Sequence, residues 1–316
     1  MWSYKNRVTL ISAVPIVALL VLLPVLHVSQ AWILYLFLFF NTVALANMWN
    51  LLAGYCGLIS LCQPAFIGLG GYTLAVFAWL GLPLYAGVIT GAFVAAAFAA
   101  LISPTVFRLK GIYFAIGTIV LPEIVRIVFL MWRPVGGRLY GKGAGYPVKG
   151  ATLISPDESY WVVMGIGVAS IIIMRAILTS DLGLGLATIR DNENTAASSG
   201  VHVFKIKFYT LTISAFVTGL AGAAFYIAQG FIEPTSAFSV KWTMTLMLAT
   251  VIGGIGVEYG PIVGSVVVVV LHFFLARYAG LSMLIQGIIL ILIMLAAPRG
   301  ILGSLMRFRK GAAPSR

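Results

Sequence analysis

Acidic side chains are what this sequence has least of, with eight Asp and Glu in 316 residues against 20 Lys and Arg. Charge of either sign reaches only 9%, where soluble domains carry about a quarter. That scarcity excludes a water-soluble globule of this length. Cysteine is nearly absent. Cys56 and Cys62 form no CxxC and have no nearby His, so they read as small packing residues, with no disulfide framework or thiolate metal site. His27, His202 and His272 are scattered and form no ligand set, and no Ser-His-Asp or paired-carboxylate arrangement is legible. No catalytic residue and no metal site is therefore predicted. The net charge of +12 does not point to nucleic acid, because the basic residues sit in short connections and line no face or arm.

What is present is apolar, at 61% of the chain. Ten segments reach spanning or near-spanning length, at approximately 8–28, 32–53, 58–80, 85–107, 111–132, 160–178, 208–228, 243–258, 261–278 and 282–298. Runs of roughly 20 residues with Gly-rich breaks favour helices over a β-barrel, whose strands would alternate every second residue. The expected fold is all-α: one polytopic transmembrane helical bundle of about ten segments, covering 1–316 as a single transmembrane domain. Its third and eighth segments are interrupted by glycine. They occupy matching places in two groups of five, which suggests an inverted repeat.

Lys and Arg set the orientation. With both termini inside, Lys5, Arg7, Arg108, Lys110, Arg190, Lys205, Lys207, Arg299, Arg307, Arg309 and Lys310 all fall on the inner side. The segment at about 133–159 holds Arg133, Arg138, Lys142 and Lys149 yet becomes an outer loop; long loops obey the rule less strictly. The N-terminal run is long enough to span and lacks a clear A-x-A cleavage site, so it is expected to be retained.

Against this background "TIRDNENTAASSGVHVFKIK" (188–207) stands out, because it gathers Arg190, Asp191, Glu193, Lys205 and Lys207 between apolar runs. Its pattern reads as a short helix, with Asp191 as N-cap, Ala196 and Ala197 inside and Gly200 at the end. The plain alternative is a solvated loop.

Three other groups are candidates. Gly256, Gly260 and Gly264 recur every four residues and would share one face of a continuous helix, although Pro261 warns of a break. Asn47, Asn50 and Gln63 are uncharged polar groups near the Gly-rich stretch 54–71, which reads as a broken helix lining a path or as tight helix packing. Glu123 and Arg126, spaced i,i+3 inside the fifth segment, can pair in the membrane, either along a translocation path or as an anchor tying that helix to its bundle. "GGRLYGKG" (136–143) comes one residue from a phosphate-binding loop, but Gly143 replaces the hydroxyl that holds magnesium and no strand precedes it.

"IRDNENTAASSGVHVFKIK" resembles the cytoplasmic coupling segment of the branched-chain amino-acid permease family of ABC importers. "NLLAGYCGLISLCQPAFIGLGGYTLAV" (50–76), "VIGGIGVEYGPIVGSVV" (251–267) and "PRGILG" (298–303) resemble three further family stretches, so the likeness runs over roughly 44–303. The chain departs from it at Cys62-Gln63-Pro64, where many members have Gly-His-Ala. The resemblance implies a permease subunit, without a nucleotide site of its own, that imports branched-chain or related amino acids, or urea and short amides. Implied partners are two ABC ATPase subunits carrying ATP and magnesium, a paralogous permease subunit and an extracytoplasmic solute-binding protein. The implied setting is the lipid of a bacterial or archaeal inner membrane. Arg190, Asp191, Glu193, Ala196, Ala197 and Gly200, within a segment of about 180–207, become the ATPase-coupling candidates. The alternative from another class is an ion-coupled secondary transporter, which needs intramembrane acids.

Overall fold

A computed structural model of the chain describes residues 20–22, 24, 29–135, 139–275, 279–296 and 300–303. The first apolar segment, at 8–28, lies almost wholly outside the described residues. So do Arg138, part of the 136–143 motif, Pro298-Arg299 of the closing motif, and the basic C-terminal residues.

Helices dominate, and the other nine apolar segments each correspond to one. They are α1 (Gln30–Asn50), α2 (Gln63–Trp79), α3 (Leu84–Val106), α4 (Ile112–Met131), α5 (Pro156–Leu178), α8 (Val203–Gln229), α10 (Val240–Gly253), α11 (Gly260–Leu275) and α12 (Ala279–Ala296). Between α5 and α8 lie the short α6 (Asp181–Asp191) and α7 (Glu193–Ser198), and α9 (Pro234–Ala237) precedes α10. Among the described residues six stretches are long and apolar enough to cross a membrane: Gln30–Tyr55, Leu84–Val106, Ile112–Met131, Pro156–Leu178, Val203–Gln229 and Pro234–Gly253. The only described sheet is the two-residue pair β1 (Tyr146–Pro147) and β2 (Phe231–Ile232), antiparallel with Tyr146 opposite Ile232.

α8 is the spine of the bundle. In lipid the hydrophobic effect does not drive helices together, so close packing of small residues must. Gly219 and Gly222 of α8 meet the backbones of α2 and α3 at Ile67, Gly91 and Ala92, and Gly70 of α2 meets the Gly219 carbonyl. α1 packs on α5 through larger side chains, with Phe40 edge-on to Tyr160.

The bundle has two distinct ends. At the ribbon end, the 139–155 loop is tied down by Val148 N–H donating to Gly230 O (2.9 Å) and Trp79 Nε1 donating to Pro147 O (2.9 Å). Part of that loop's basic charge is absorbed here, because Lys149 Nζ sits 3.5 Å from the Trp79 ring centre. Ser155 and Glu158 then start α5 with a reciprocal capping box. At the opposite end lie α6, α7 and two turns, 51–62 and 254–259.

Glycine does not break helices where its spacing suggests. α2 is continuous through Gly68, Gly70 and Gly71, which serve as packing sites against Phe238, Gly219 and Tyr226. The interruption comes earlier: α1 widens into a π turn at Leu51–Tyr55 and then unravels, with Gly57 at φ 73°. Nor do Gly256, Gly260 and Gly264 share one helical face. Gly256 sits in the 254–259 turn at φ 74°, Gly260 opens α11, and only Gly264 is inside it. The spacing of four is real, but Pro261 with positive φ at Gly254 and Gly256 stops the helix. The irregular lead-in to α2 at one end is answered by the irregular lead-in to α10, through β2 and α9, at the other.

Candidate functional site

The polar island folds as α6 and α7. α7 is capped by Asn192, whose Oδ1 accepts from Asn194 N–H (3.0 Å) and Thr195 N–H (3.1 Å). Asp191, the expected cap, is the last residue of α6 instead. Asn fits better because its backbone there is extended, the geometry an N-cap requires. Gly200, at φ 84°, ends the module as expected of a C-terminal glycine.

The six coupling candidates divide by direction. Asp191, Ala197 and Gly200 are exposed, beside Asn194, Thr195 and Ser198. Ala196 is buried in a cluster with Leu51, Cys56, Met174, Leu186 and Ile189, so it belongs to the chain's own core and cannot seat in a partner. Glu193 turns toward α8 and pairs with Lys207 at 2.7 Å, the Lys side chain being 5% exposed. Stranding a buried ammonium costs roughly 3–5 kcal/mol in a dry interior and less here, because Glu193 is partly solvated.

Arg190 also turns inward. Its Nη1 donates to Gly54 O at 2.9 Å, in the last turn of the π segment, where carbonyls run out of downstream N–H donors. The neighbouring Asn50 binds the second turn from both ends of its amide. Its Oδ1 accepts from Gly256 N–H (2.9 Å) and its Nδ2 donates to Val257 O (3.1 Å). A Cβ on Gly54 would lie 2.5 Å from Gly256 N, so the two turns touch backbone to backbone. From α5, Arg175 Nη1 reaches Glu258 Oε1 (3.3 Å) and donates to Tyr259 OH (2.6 Å). Sequence reasoning missed Arg175 and Glu258. The available signal was a lone cation ending one apolar run and a lone acid inside a Gly-rich one.

The expected path residues fall in different places. Asn47 is buried and donates to Ser170 Oγ on α5 (3.2 Å), and Asn50 is occupied as described. Gln63, fully buried at the start of α2, has no hydrogen-bond partner for either amide atom within the described residues. Glu123 and Arg126 do not anchor α4 to the bundle. They bind each other, Arg126 Nε to Glu123 Oε2 at 2.8 Å, on the outer face of the least buried spanning helix. At the ribbon end a cavity of about 960 Å³ is lined by Phe225, Tyr226, Glu233, Lys241, Trp242 and His272, among others. Among the described residues no group of three His, Cys, Asp or Glu is placed to hold a metal ion.

The chain is similar to high-affinity branched-chain amino acid transport system permease proteins LivM. It is 29% identical to that of Salmonella typhimurium over 80% of this chain and 65% of the relative, and 28% identical to that of Escherichia coli over 84% and 69%. A probable branched-chain amino acid transport permease LivM of Methanocaldococcus jannaschii is 24% identical over 45% of each chain. The chain thus spans just under two thirds of the Salmonella relative it matches. No solved structure matches significantly. The family model for the branched-chain amino acid transport system / permease component matches residues 32–297, a range that contains both turns, α6–α7 and, but for the first two residues of α1, every spanning helix described, and the chain belongs to that family.

Proposed function

We propose that this chain is the membrane-spanning permease subunit of an ABC importer that moves branched-chain or related amino acids into the cytoplasm. Separate ATPase subunits supply ATP and magnesium, and an extracytoplasmic binding protein delivers the solute. The observation that carries the reading is the construction of α6–α7. It is a short, capped, polar helix pair with one exposed face, tied on its other side to α8 by Glu193–Lys207 and to the π turn after α1 by Arg190–Gly54. A loop without such ties dissipates an applied force, whereas a braced one passes it on. In this reading α6, α7 and both termini are cytoplasmic, and the ribbon end faces outward.

The outward cavity supports an amino acid over urea or a short amide. It offers Glu233 and Lys241, opposite charges suited to a zwitterion, beside Phe225 and Trp242 for an apolar side chain. An ion-coupled transporter needs a titratable acid within the membrane, and Glu123 is already held by Arg126. When the chain is tagged and extracted from its native membrane, an ABC ATPase should come with it. Reconstituted vesicles should then accumulate radiolabelled leucine only when ATP is supplied. A lone chain driving uptake from an ion gradient would refute the importer.

The second permease subunit covers α4 in this reading. Even paired, charge facing lipid is unfavourable, by about 3 kcal/mol for an isolated residue at a helix centre. Arg126 turns back toward Glu123, away from the nearer helix end, so it is not reaching for the headgroups. A neighbouring membrane helix with polar side chains relieves that cost. Cysteines at Ile116 and Ile127 of α4, each more than half exposed, should crosslink to the second permease subunit, and one at Leu101 of α3 should not. The reverse pattern would move the interface off α4.

A further inference from the structure

Two turns that interrupt spanning helices meet at the α6–α7 end, and one side chain touches both. Arg190 bonds the Gly54 carbonyl, and a Cβ on Gly256 would lie 3.3 Å from Arg190 Nη1 and 3.1 Å from Gly54 O. The aliphatic part of Arg190 covers Gly57, whose Cβ position is 3.3 Å from Arg190 Cγ. Below, Asn50 clips the 51–62 turn to the 254–259 turn with two hydrogen bonds. We propose that these two turns form the cytoplasmic gate of the permease and that Arg190 is its bolt, drawn when the ATPases displace α6–α7.

The inference rests on the coupling reading above and adds the element that receives the motion. Three features make Arg190 a bolt and more than a packing residue. It is the penultimate residue of α6, two residues before the α7 cap, so it moves with the docking helix. Its acceptor is a backbone carbonyl at a helix break, which loses its partner if the guanidinium withdraws. Its side chain is 47% exposed, so withdrawal is not opposed by deep burial. Both turns are joined through the two Asn50 hydrogen bonds and the Gly54–Gly256 backbone contact, polar and main-chain contacts that a shift of either turn breaks. α5 braces the same turn through Arg175 to Glu258 and Tyr259, which holds the 254–259 side while the α6 side moves.

The chain carries its own reporter. Cys56 follows the π turn and is buried in the cluster with Leu186, Ile189 and Ala196, the inner faces of α6 and α7. Burial pushes its thiol up to about 12, so it stays protonated and shielded while the module is seated. Cys62, at the start of α2, is also buried but packs with Phe66, Ala95 and Leu211, away from α6. Opening of the gate therefore exposes Cys56 and leaves Cys62 covered, whereas loss of the fold exposes both.

The test uses the assembled transporter with its ATPases, a membrane-impermeant maleimide and peptide mapping of the labelled thiol. In the wild type, ATP with vanadate should raise Cys56 labelling about tenfold over the nucleotide-free state, as expected of a local opening. In Arg190→Ala, Cys56 should label at the raised rate without nucleotide, and Arg190→Lys should fall between because its ammonium still reaches a carbonyl. Cys62 should stay unlabelled throughout. If Arg190→Ala keeps Cys56 as protected as in the wild type, the bolt is refuted; labelling of Cys62 together with Cys56 refutes it too, since that marks general unpacking. Absence of ATPase from the complex refutes instead the importer reading on which the bolt depends.

Discussion

Gly264→Leu should leave almost no folded permease to extract from the membrane. α10 and α11 pack backbone to backbone. A Cβ on Gly264 would lie 2.6 Å from the Ala249 carbonyl carbon and closer still to its oxygen, and a Cβ on Gly253 would collide with Gly260. No rotamer relieves that contact, because the obstacle is main chain and the new atom is the first of the side chain. The two helices must separate, and dispersion contacts from small residues are what holds them together. Overpacking that flexible side chains absorb costs 1–3 kcal/mol, and here the cost should exceed about 4 kcal/mol. Val266→Leu, two residues along the same helix at a position 49% exposed, ends in the same leucine side chain but meets no main chain there, and should leave yield and thermal stability unchanged. Detergent extraction followed by size-exclusion chromatography and a melting curve distinguishes the two. Equal behaviour of the two variants would disprove a backbone contact between α10 and α11.

Much of this architecture was written in composition alone. Nine apolar runs became nine helices, because in lipid each backbone polar group must be satisfied within its own segment, and run length therefore reports helix length. The polar island was equally plain, since it interrupts that pattern. What sequence did not disclose is direction. Alanine carries no amphipathic signature, so nothing distinguished Ala196, which faces the core, from Ala197, which does not. Arg190 and Glu193 read as surface charge, yet Arg190 reaches Gly54 far along the chain and Glu193 folds back onto Lys207 of α8. Arg175 and Glu258 are 83 residues apart, and no local periodicity links them. The i,i+4 glycines were misplaced because spacing records a helical face only where the helix continues, and positive φ at Gly254 and Gly256 ends it.

Ala197→Trp should abolish ATPase binding while the permease remains folded in the membrane. α7 is held from its inner side by the Ala196 cluster and the Glu193–Lys207 pair, and at its start by the Asn192 cap. Ala197 takes part in none of these and is exposed, so an indole there meets solvent in the isolated subunit and leaves the bracing intact. The surface around it is made of short side chains, Asn194, Thr195 and Ser198, with Asp191 at the edge. Such a face suits a shallow groove on a partner that takes α7 closely, with the charge fixing its orientation. A tryptophan in that groove keeps the surfaces several ångströms apart, and contacts that depend on close fit are lost together. Co-purification should fall below a tenth of the wild-type level, a loss of more than about 1.4 kcal/mol in association free energy, and solute-stimulated ATP hydrolysis should vanish with it. Ala196→Trp provides the contrast: its Cβ points into the Leu51–Leu186–Ile189 cluster, so it should lower the melting temperature of the permease itself. If Ala197→Trp retains its ATPase and transports normally, α7 is a solvated loop element and the docking surface lies elsewhere on the α6–α7 end.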